Sequence, residues 1–204
     1  MRKILTLFLT LCFLTGIATS VLGGGLDNTD SRYPSRQYRR FLLPNQMKVM
    51  LISDPTLQRG AASLTVGVGS MSDPAERFGL AHFLEHMLFL GTEKYPEEGS
   101  YQQFVSTHDG FSNAYTADDR TNYHFEIDPE YLEEGLDRFS QFFLAPLFNP
   151  DLVEREKRAV EAEHSKNIPN DFRRIFQVKR KAYEAGHPAR HFATGTLETL
   201  DGVS

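Results

Sequence analysis

Cysteine is nearly absent from this sequence. The one cysteine, Cys12, lies in an N-terminal segment that we expect to be removed from the mature protein. The chain that remains would form no disulfide bond, and it would offer no thiolate as a nucleophile or metal ligand. Any metal would therefore have to be bound by histidine and carboxylate side chains.

Long basic runs and a second apolar run are also missing. The net charge is −5, and the few adjacent basic residues, such as Arg173 and Arg174, form pairs or short groups that are typical of a solvated surface. We therefore expect no nucleic-acid partner. The one long apolar run, residues 4–16, is shorter than the roughly 20 residues that span a bilayer.

That apolar run has the layout of a secretory signal peptide. Arg2 and Lys3 precede it, and small residues that suit cleavage follow it. We predict a signal peptide at residues 1–23, a linker at 24–36 and a domain at 37–204, in a protein that is exported to the periplasm or secreted. No stable membrane span would then remain. An uncleaved N-terminal anchor is the alternative.

The order of hydrophobic patterns predicts an α+β domain, with helices packed on a mixed or antiparallel sheet. The segment after Thr196 looks like the approach to a further element, so we expect the domain to be incomplete at its C-terminus. Strands are predicted at residues 38–43, 48–53, 62–68, 111–115 and 123–127, and helices at 73–91, 101–108, 130–144, 149–167 and 171–185.

The most informative motif is H-F-L-E-H at residues 82–86. On a helix, His82 and His86 lie one turn apart on the same face, where two imidazoles can bind one zinc ion. Glu85 points to the same side, and a carboxylate there can accept a proton from a zinc-bound water. The alternative is a chance pair of histidines, on the surface or bonded to backbone in the core.

A catalytic zinc usually has a third protein ligand, and the predicted helix 149–167 is rich in candidates. Glu156 and Glu163 are two helical turns apart and share a face, so one could bind zinc while the other orients a histidine. Spacing alone does not separate Glu163 from Glu161. The acidic start of this helix also suits the helix dipole and ordinary ion pairs.

These motifs lie within longer stretches of sequence that are typical of one protein family. Together they resemble the pitrilysin and insulysin branch of the insulinase/pitrilysin family, whose members are zinc metallopeptidases with the inverted H-x-x-E-H motif. The stretches are GLAHFLEHMLFLGT (79–92), KYP (94–96), FSNAYT (111–116), TNY (121–123), DRF (137–139), FF (142–143), PLF (146–148), EAEH (161–164) and KN (166–167).

The resemblance implies a role for each site residue. His82, His86 and Glu163 would bind one zinc ion, Glu85 would be the general base, and Glu156 would accept a hydrogen bond from a zinc-binding histidine. Asn113 and Ala114 would lie on an edge strand that receives the substrate backbone. The five other histidines gain no metal role.

The implied function is zinc-dependent endopeptidase hydrolysis of peptides or small unfolded proteins, on a processing-peptidase-like fold. Family members of this branch are several times longer, so the remaining family domains or a partner subunit would be needed to complete the site. The alternative is a non-catalytic partner subunit or an inactive fragment of the same fold.

Overall fold

The computed structural model describes residues 32–204, and the predicted signal peptide and most of the predicted linker lie outside this range. The chain divides into two compact units, Met1–Gly60 and Ala61–Ser204. Each is described by itself. Between residues 32 and 204, no helix is both long and apolar enough to cross a membrane.

The first unit contains an antiparallel hairpin of β1 (Gln37–Leu42) and β2 (Lys48–Ser53). The Asp54 carboxylate follows β2 and accepts a hydrogen bond from the Arg36 guanidinium, which precedes β1 (Nε to Oδ2, 2.8 Å). Asp54 also accepts bonds from the Thr56 amide and hydroxyl. The ion pair thus joins the two chain segments at the open end of the hairpin.

The second unit consists of one sheet and five α-helices among the described residues. The sheet has the order β3-β5-β4, in which β4 and β5 are antiparallel and β4 is an edge strand. The strands are β3 (Gly60–Val66), β4 (Phe111–Thr116) and β5 (Thr121–Ile127). The helices are α1 (Leu80–Met87), α2 (Ser100–Thr107), α3 (Leu132–Leu144), α4 (Pro150–Asn167) and α5 (Asp171–Lys181).

Two apolar clusters pack these elements together. An aromatic cluster joins α2 and α3 to β5, and its centre includes Phe125 and Phe139. Gly135 allows α3 to approach the sheet, because a Cβ atom there would lie 2.9 Å from the Phe125 ring. A second cluster joins α1 to α4. It contains Phe83, Met87, Val153, Val160 and Leu200.

The predicted α+β class with an antiparallel strand pair is confirmed, but the helix predicted over residues 73–91 is shorter. It begins at Leu80 because Gly79 has a left-handed φ of 89°, which interrupts helical geometry. The Asp73 carboxylate reaches forward and accepts hydrogen bonds from the Gly79 and Ala81 amides, both at 2.8 Å. Asp73 therefore caps α1 from a separate turn.

Candidate metal centre

The two histidines of the motif face each other across one turn of α1. Their Nε2 atoms are 3.2 Å apart, and their rings meet at 81°. The adjacent face of the helix is anchored by Phe83 and Met87, each one residue after a histidine, which are buried in the cluster shared with α4. This packing turns His82 and His86 toward the side chains of α4.

Glu163 of α4 completes a group of three possible ligands. Its Oε2 atom lies 3.4 Å from Nε2 of His82 and 3.8 Å from Nε2 of His86. Within the described part of the chain, these three residues are the one group of histidine and carboxylate side chains that could hold a metal ion. Glu161 points elsewhere, since its carboxylate accepts a hydrogen bond from the Leu197 amide at 2.8 Å.

The spacing of the three atoms fits a zinc ion. Ligand bonds of about 2.0–2.1 Å in a tetrahedron place any two ligand atoms about 3.3–3.4 Å apart. The two Nε2 atoms and the Glu163 oxygen deviate from that separation by only a few tenths of an ångström. Two imidazoles and one carboxylate are also a usual protein ligand set for catalytic zinc.

Hydrogen bonds on the far side of each ring determine which nitrogen is free to bind a metal. Nδ1 of His82 is 2.7 Å from the carbonyl oxygen of Thr194. Because a carbonyl oxygen only accepts, Nδ1 must carry the proton, and Nε2 of the neutral ring presents a lone pair. Nδ1 of His86 makes the equivalent contact with the Glu156 carboxylate at 2.8 Å.

The contact between His86 and Glu156 also changes the pKa of each side chain. The hydrogen bond from His86 lowers the pKa of Glu156, and it outweighs the opposing effect of burial. Burial is the largest single influence on His86 and lowers its pKa. The hydrogen bond to Glu156, together with the charges of Glu156, Glu85 and Glu163, outweighs burial and leaves the pKa of His86 raised. The electrostatic potential at the site is therefore negative, which favours a bound cation.

Glu85 lies beside the ligand group but makes a different contact. Only 8% of its surface is exposed, and its Oε2 atom accepts a hydrogen bond of 2.5 Å from the Thr116 hydroxyl. Burial raises the pKa of the neighbouring Tyr123, and the nearby charge of Glu85 adds to the effect. The carboxylate of Glu85 is thus positioned by a residue of β4, whereas the three potential ligands are side chains of α1 and α4.

Two of these partners, Thr116 and Thr194, were missed by sequence reasoning. Thr116 lies within one of the stretches that carry the family resemblance, but nothing in its spacing indicates a contact with a helix 31 residues away. The Thr194 carbonyl is a backbone group, 112 residues from His82. A backbone acceptor leaves no residue-type signal in a sequence.

The predicted substrate strand is at the edge of the sheet. Asn113 and Ala114 pair with His124 and Tyr123 of β5, and no described strand pairs with the other side of β4. Thr116 follows two residues later and contacts Glu85. The edge strand β4 is therefore also the strand that contacts the side chain predicted to be the base.

The remaining histidines that the structure describes have other contacts. They lie outside the ligand group and either bond to nearby acceptors and amides or stack on aromatic rings. These residues are His108, His124, His164, His187 and His191.

A shallow cavity of about 490 Å³ lies elsewhere, between α2 and the segment after α1, and contains none of the three potential ligands. Its two cationic residues already have partners. Lys94 contacts Asp137 at 2.5 Å, and Arg138 contacts Glu134 at 2.8 Å. This cavity is therefore not an alternative metal site.

Comparison with known proteins agrees with the geometry. The family model described as Insulinase (Peptidase family M16) matches residues 48–186. Human insulin-degrading enzyme is 50% identical over 173 residues, which cover 85% of this chain and 17% of that enzyme. The crystal structure of pitrilysin matches with a TM-score of 0.77 and 36% identity, over 90% of this chain and 19% of pitrilysin. The chain thus spans less than a fifth of the length of these relatives.

The predicted location is wrong. A third relative, from Arabidopsis thaliana, is 48% identical over 177 residues (87% of this chain, 18% of its own) and is named insulin-degrading enzyme-like 1, peroxisomal. The name of this relative places it in the peroxisome, which contradicts export to the periplasm or secretion. The prediction was based on composition at residues 1–23, which lie outside the described residues. An apolar run after two basic residues is not specific enough to identify a compartment.

Proposed function

The chain belongs to the insulinase family of zinc metallopeptidases, and we propose that it carries the zinc centre of an endopeptidase that hydrolyses peptides or small unfolded proteins. The observation that carries this proposal is the triangle formed by Nε2 of His82, Nε2 of His86 and Oε2 of Glu163. One zinc ion would be held there.

Zinc at this position would act as a Lewis acid on a bound water and on the scissile carbonyl. His82, His86 and Glu163 would hold it, leaving a fourth position open. The Thr194 carbonyl and the Glu156 carboxylate keep the two rings in the tautomer that presents Nε2. These two contacts fix the direction of each ring as well as its protonation.

Glu85 is the proposed general base. Its buried carboxylate accepts the proton of the attacking water and then delivers it to the leaving amine. Its charge reaches the site, since it is one of the influences that raise the pKa of His86. A base must be both close and ionised, and Glu85 is the acidic residue of α1 that satisfies the first condition.

The free edge of β4 is the proposed substrate surface. An extended peptide can add to an unpaired strand edge through backbone hydrogen bonds, which do not depend on side-chain identity. Asn113 and Ala114 lie at the middle of this edge, three and two residues before the threonine that contacts Glu85. Extended peptides would therefore bind next to the base, and folded proteins would not.

The relatives supply the context for activity. This chain covers 17% of human insulin-degrading enzyme. We therefore propose that residues outside this chain, in further family domains or in a partner subunit, complete the substrate site.

The test is Glu85→Gln in the protein at its natural length. Glutamine has the shape of glutamate but cannot accept the proton. We expect zinc content to stay at the wild-type value while kcat for a quenched fluorescent peptide falls by about 10²–10⁴-fold. Normal turnover by this variant would rule out the catalytic role of Glu85. Absence of hydrolysis in the zinc-loaded wild-type protein would favour the alternative of a non-catalytic member of the family.

A further inference from the structure

The carboxylate of Glu85 is fixed by a residue on another element. Thr116, the last residue of β4, donates its hydroxyl hydrogen to Oε2 of Glu85 at 2.5 Å. We propose that Thr116 is a positioning residue for catalysis, which aims the free oxygen of Glu85 at the attacking water. This inference rests on the proposed role of Glu85 as the general base.

The length of this hydrogen bond matches its chemistry. A hydroxyl that donates to an ionised carboxylate forms a bond of about 2.5–2.7 Å, roughly twice as strong as a neutral one. The bond occupies one oxygen of Glu85 and leaves the other to take up a proton. After proton uptake on that second oxygen, Oε2 is a carbonyl-type acceptor, so the Thr116 hydroxyl can donate to it in both protonation states.

The Thr116 hydroxyl makes no other short hydrogen bond within the described part of the hairpin. Its second neighbour, the Thr121 hydroxyl, is 3.4 Å away, and a single hydroxyl hydrogen serves the closer acceptor. Thr121 bonds instead to the Val68 carbonyl at 2.9 Å. The turn itself is closed by the backbone bond from the Ala117 amide to the Arg120 carbonyl at 2.8 Å. The side chain of Thr116 is therefore not required to close the strand pair.

The position of Thr116 joins the base to the proposed substrate strand. It lies on β4, two residues beyond Ala114, while Glu85 lies on α1. The hydrogen bond thus fixes the distance between the strand that would hold the peptide and the carboxylate that would deprotonate water. A loose carboxylate would still leave the peptide bound, so the effect belongs in kcat and not in KM.

The experiment compares three variants in the protein at its natural length. Thr116→Val removes the hydroxyl and keeps the shape, Thr116→Ser keeps the hydroxyl and removes a methyl group, and Thr121→Val is the structural control. For each we would measure zinc content, thermal midpoint, and kcat and KM for a quenched fluorescent peptide. Glu85→Gln is assayed in parallel.

We expect Thr116→Val to lower kcat by about ten- to a hundredfold, the loss typical of one hydrogen bond to a charged group, with zinc content and KM unchanged. Thr116→Ser should stay within about threefold of the wild-type kcat. Thr121→Val should lower the thermal midpoint with little change in kcat, because it leaves the Val68 carbonyl without its hydroxyl donor.

Two results would overturn the inference alone: an unchanged kcat in Thr116→Val, or equal losses in Thr116→Val and Thr116→Ser while Glu85→Gln is inactive. A turnover-competent Glu85→Gln would overturn the proposed function and this inference together. If Thr116→Val does not fold, Thr116→Ala takes its place, and an unchanged kcat in that folded variant contradicts a role for the hydroxyl.

Discussion

Single residues of the site are controlled by partners that lie far away in the sequence. Thr194 and Glu156 each accept the Nδ1 hydrogen of one histidine, and Thr116 donates to Glu85. The ligand types themselves could be predicted from H-x-x-E-H, because i and i+4 on a helix share a face. The choice of Glu163 over Glu161 could not be made from spacing, since both lie on α4. In the structure Glu163 lies beside the two histidines, whereas the Glu161 carboxylate accepts a hydrogen bond from the Leu197 amide.

Glu156→Gln should weaken zinc binding. A glutamine oxygen still accepts the His86 Nδ1 hydrogen, but the negative charge that strengthens the bond and raises the basicity of the ring is lost. We expect the dissociation constant for zinc to rise by about tenfold, toward the low end of such substitutions. Competition with a fluorescent zinc chelator would measure it. An unchanged constant would show that Glu156 does not act on the metal through His86.

Asp54 gives a prediction for pH in the first unit. Hydrogen bonds from Thr56 and Arg36 lower the pKa of Asp54 from 3.8 to about 2. A lowered pKa in the folded chain means that the stabilisation is present above about pH 4 and is lost as the pH falls toward 2. A carboxyl NMR titration would give the midpoint directly. Thr56→Ala should move that midpoint upward, and a titration midpoint near 3.8 in the wild-type protein would contradict the assignment.

At the scale of elements, the presence of a helix or strand was easier to predict than the residues at which it begins and ends. The Asn149-Pro150 pair predicts the start of α4, and Asn149 indeed accepts a hydrogen bond from the Asp151 amide at 3.0 Å. The start of α1 was missed, because it depends on the left-handed Gly79 and on Asp73, six residues earlier. Gly79 also contacts Gly195, which follows the carbonyl that binds His82.

Gly79→Ala should disturb both α1 and the site. A Cβ atom at Gly79 would lie 2.2 Å from the Cα of Gly195, whereas one at Gly99 would meet nothing within 4 Å. Both glycines have a left-handed φ before a helix, so Gly99→Ala is a matched control. We expect about 1 kcal/mol of destabilisation for Gly99→Ala and about 2–5 kcal/mol for Gly79→Ala, by urea unfolding. Zinc affinity should fall only in Gly79→Ala. Equal effects would mean that the contact with Gly195 is unimportant.

At the scale of the whole molecule, the α+β class could be predicted, but the way the clusters support the site could not. Hydrophobic periodicity finds the apolar face of each element, while the pairing of faces depends on long-range packing. The cluster that contains Val160 and Leu200 fixes α1 against α4. It is this packing that brings two histidines and a glutamate from different helices within ligand distance.

Val160→Ala should therefore affect stability and metal binding together. Val160 has no exposed surface, whereas Val178 on α5 is 73% exposed. We expect Val160→Ala to lower the free energy of unfolding by about 2 kcal/mol and Val178→Ala to change it by less than about 0.5 kcal/mol. Urea unfolding of the zinc-free protein would measure the stability of each variant. The same measurement on the zinc-loaded protein would show how strongly each variant binds zinc. Similar values for the two variants would contradict the proposed packing of α1 on α4.

The central claim is that His82, His86 and Glu163 hold one zinc ion, and metal content tests it most directly. We would load the wild-type protein, Glu163→Gln and Glu161→Gln with zinc, remove loosely bound metal by dialysis, and measure zinc by mass spectrometry. The wild-type protein and Glu161→Gln should retain about one zinc ion per chain, as one site with three protein ligands predicts. Glu163→Gln should lose most of it. Full retention by Glu163→Gln, or loss in Glu161→Gln instead, would contradict the claim.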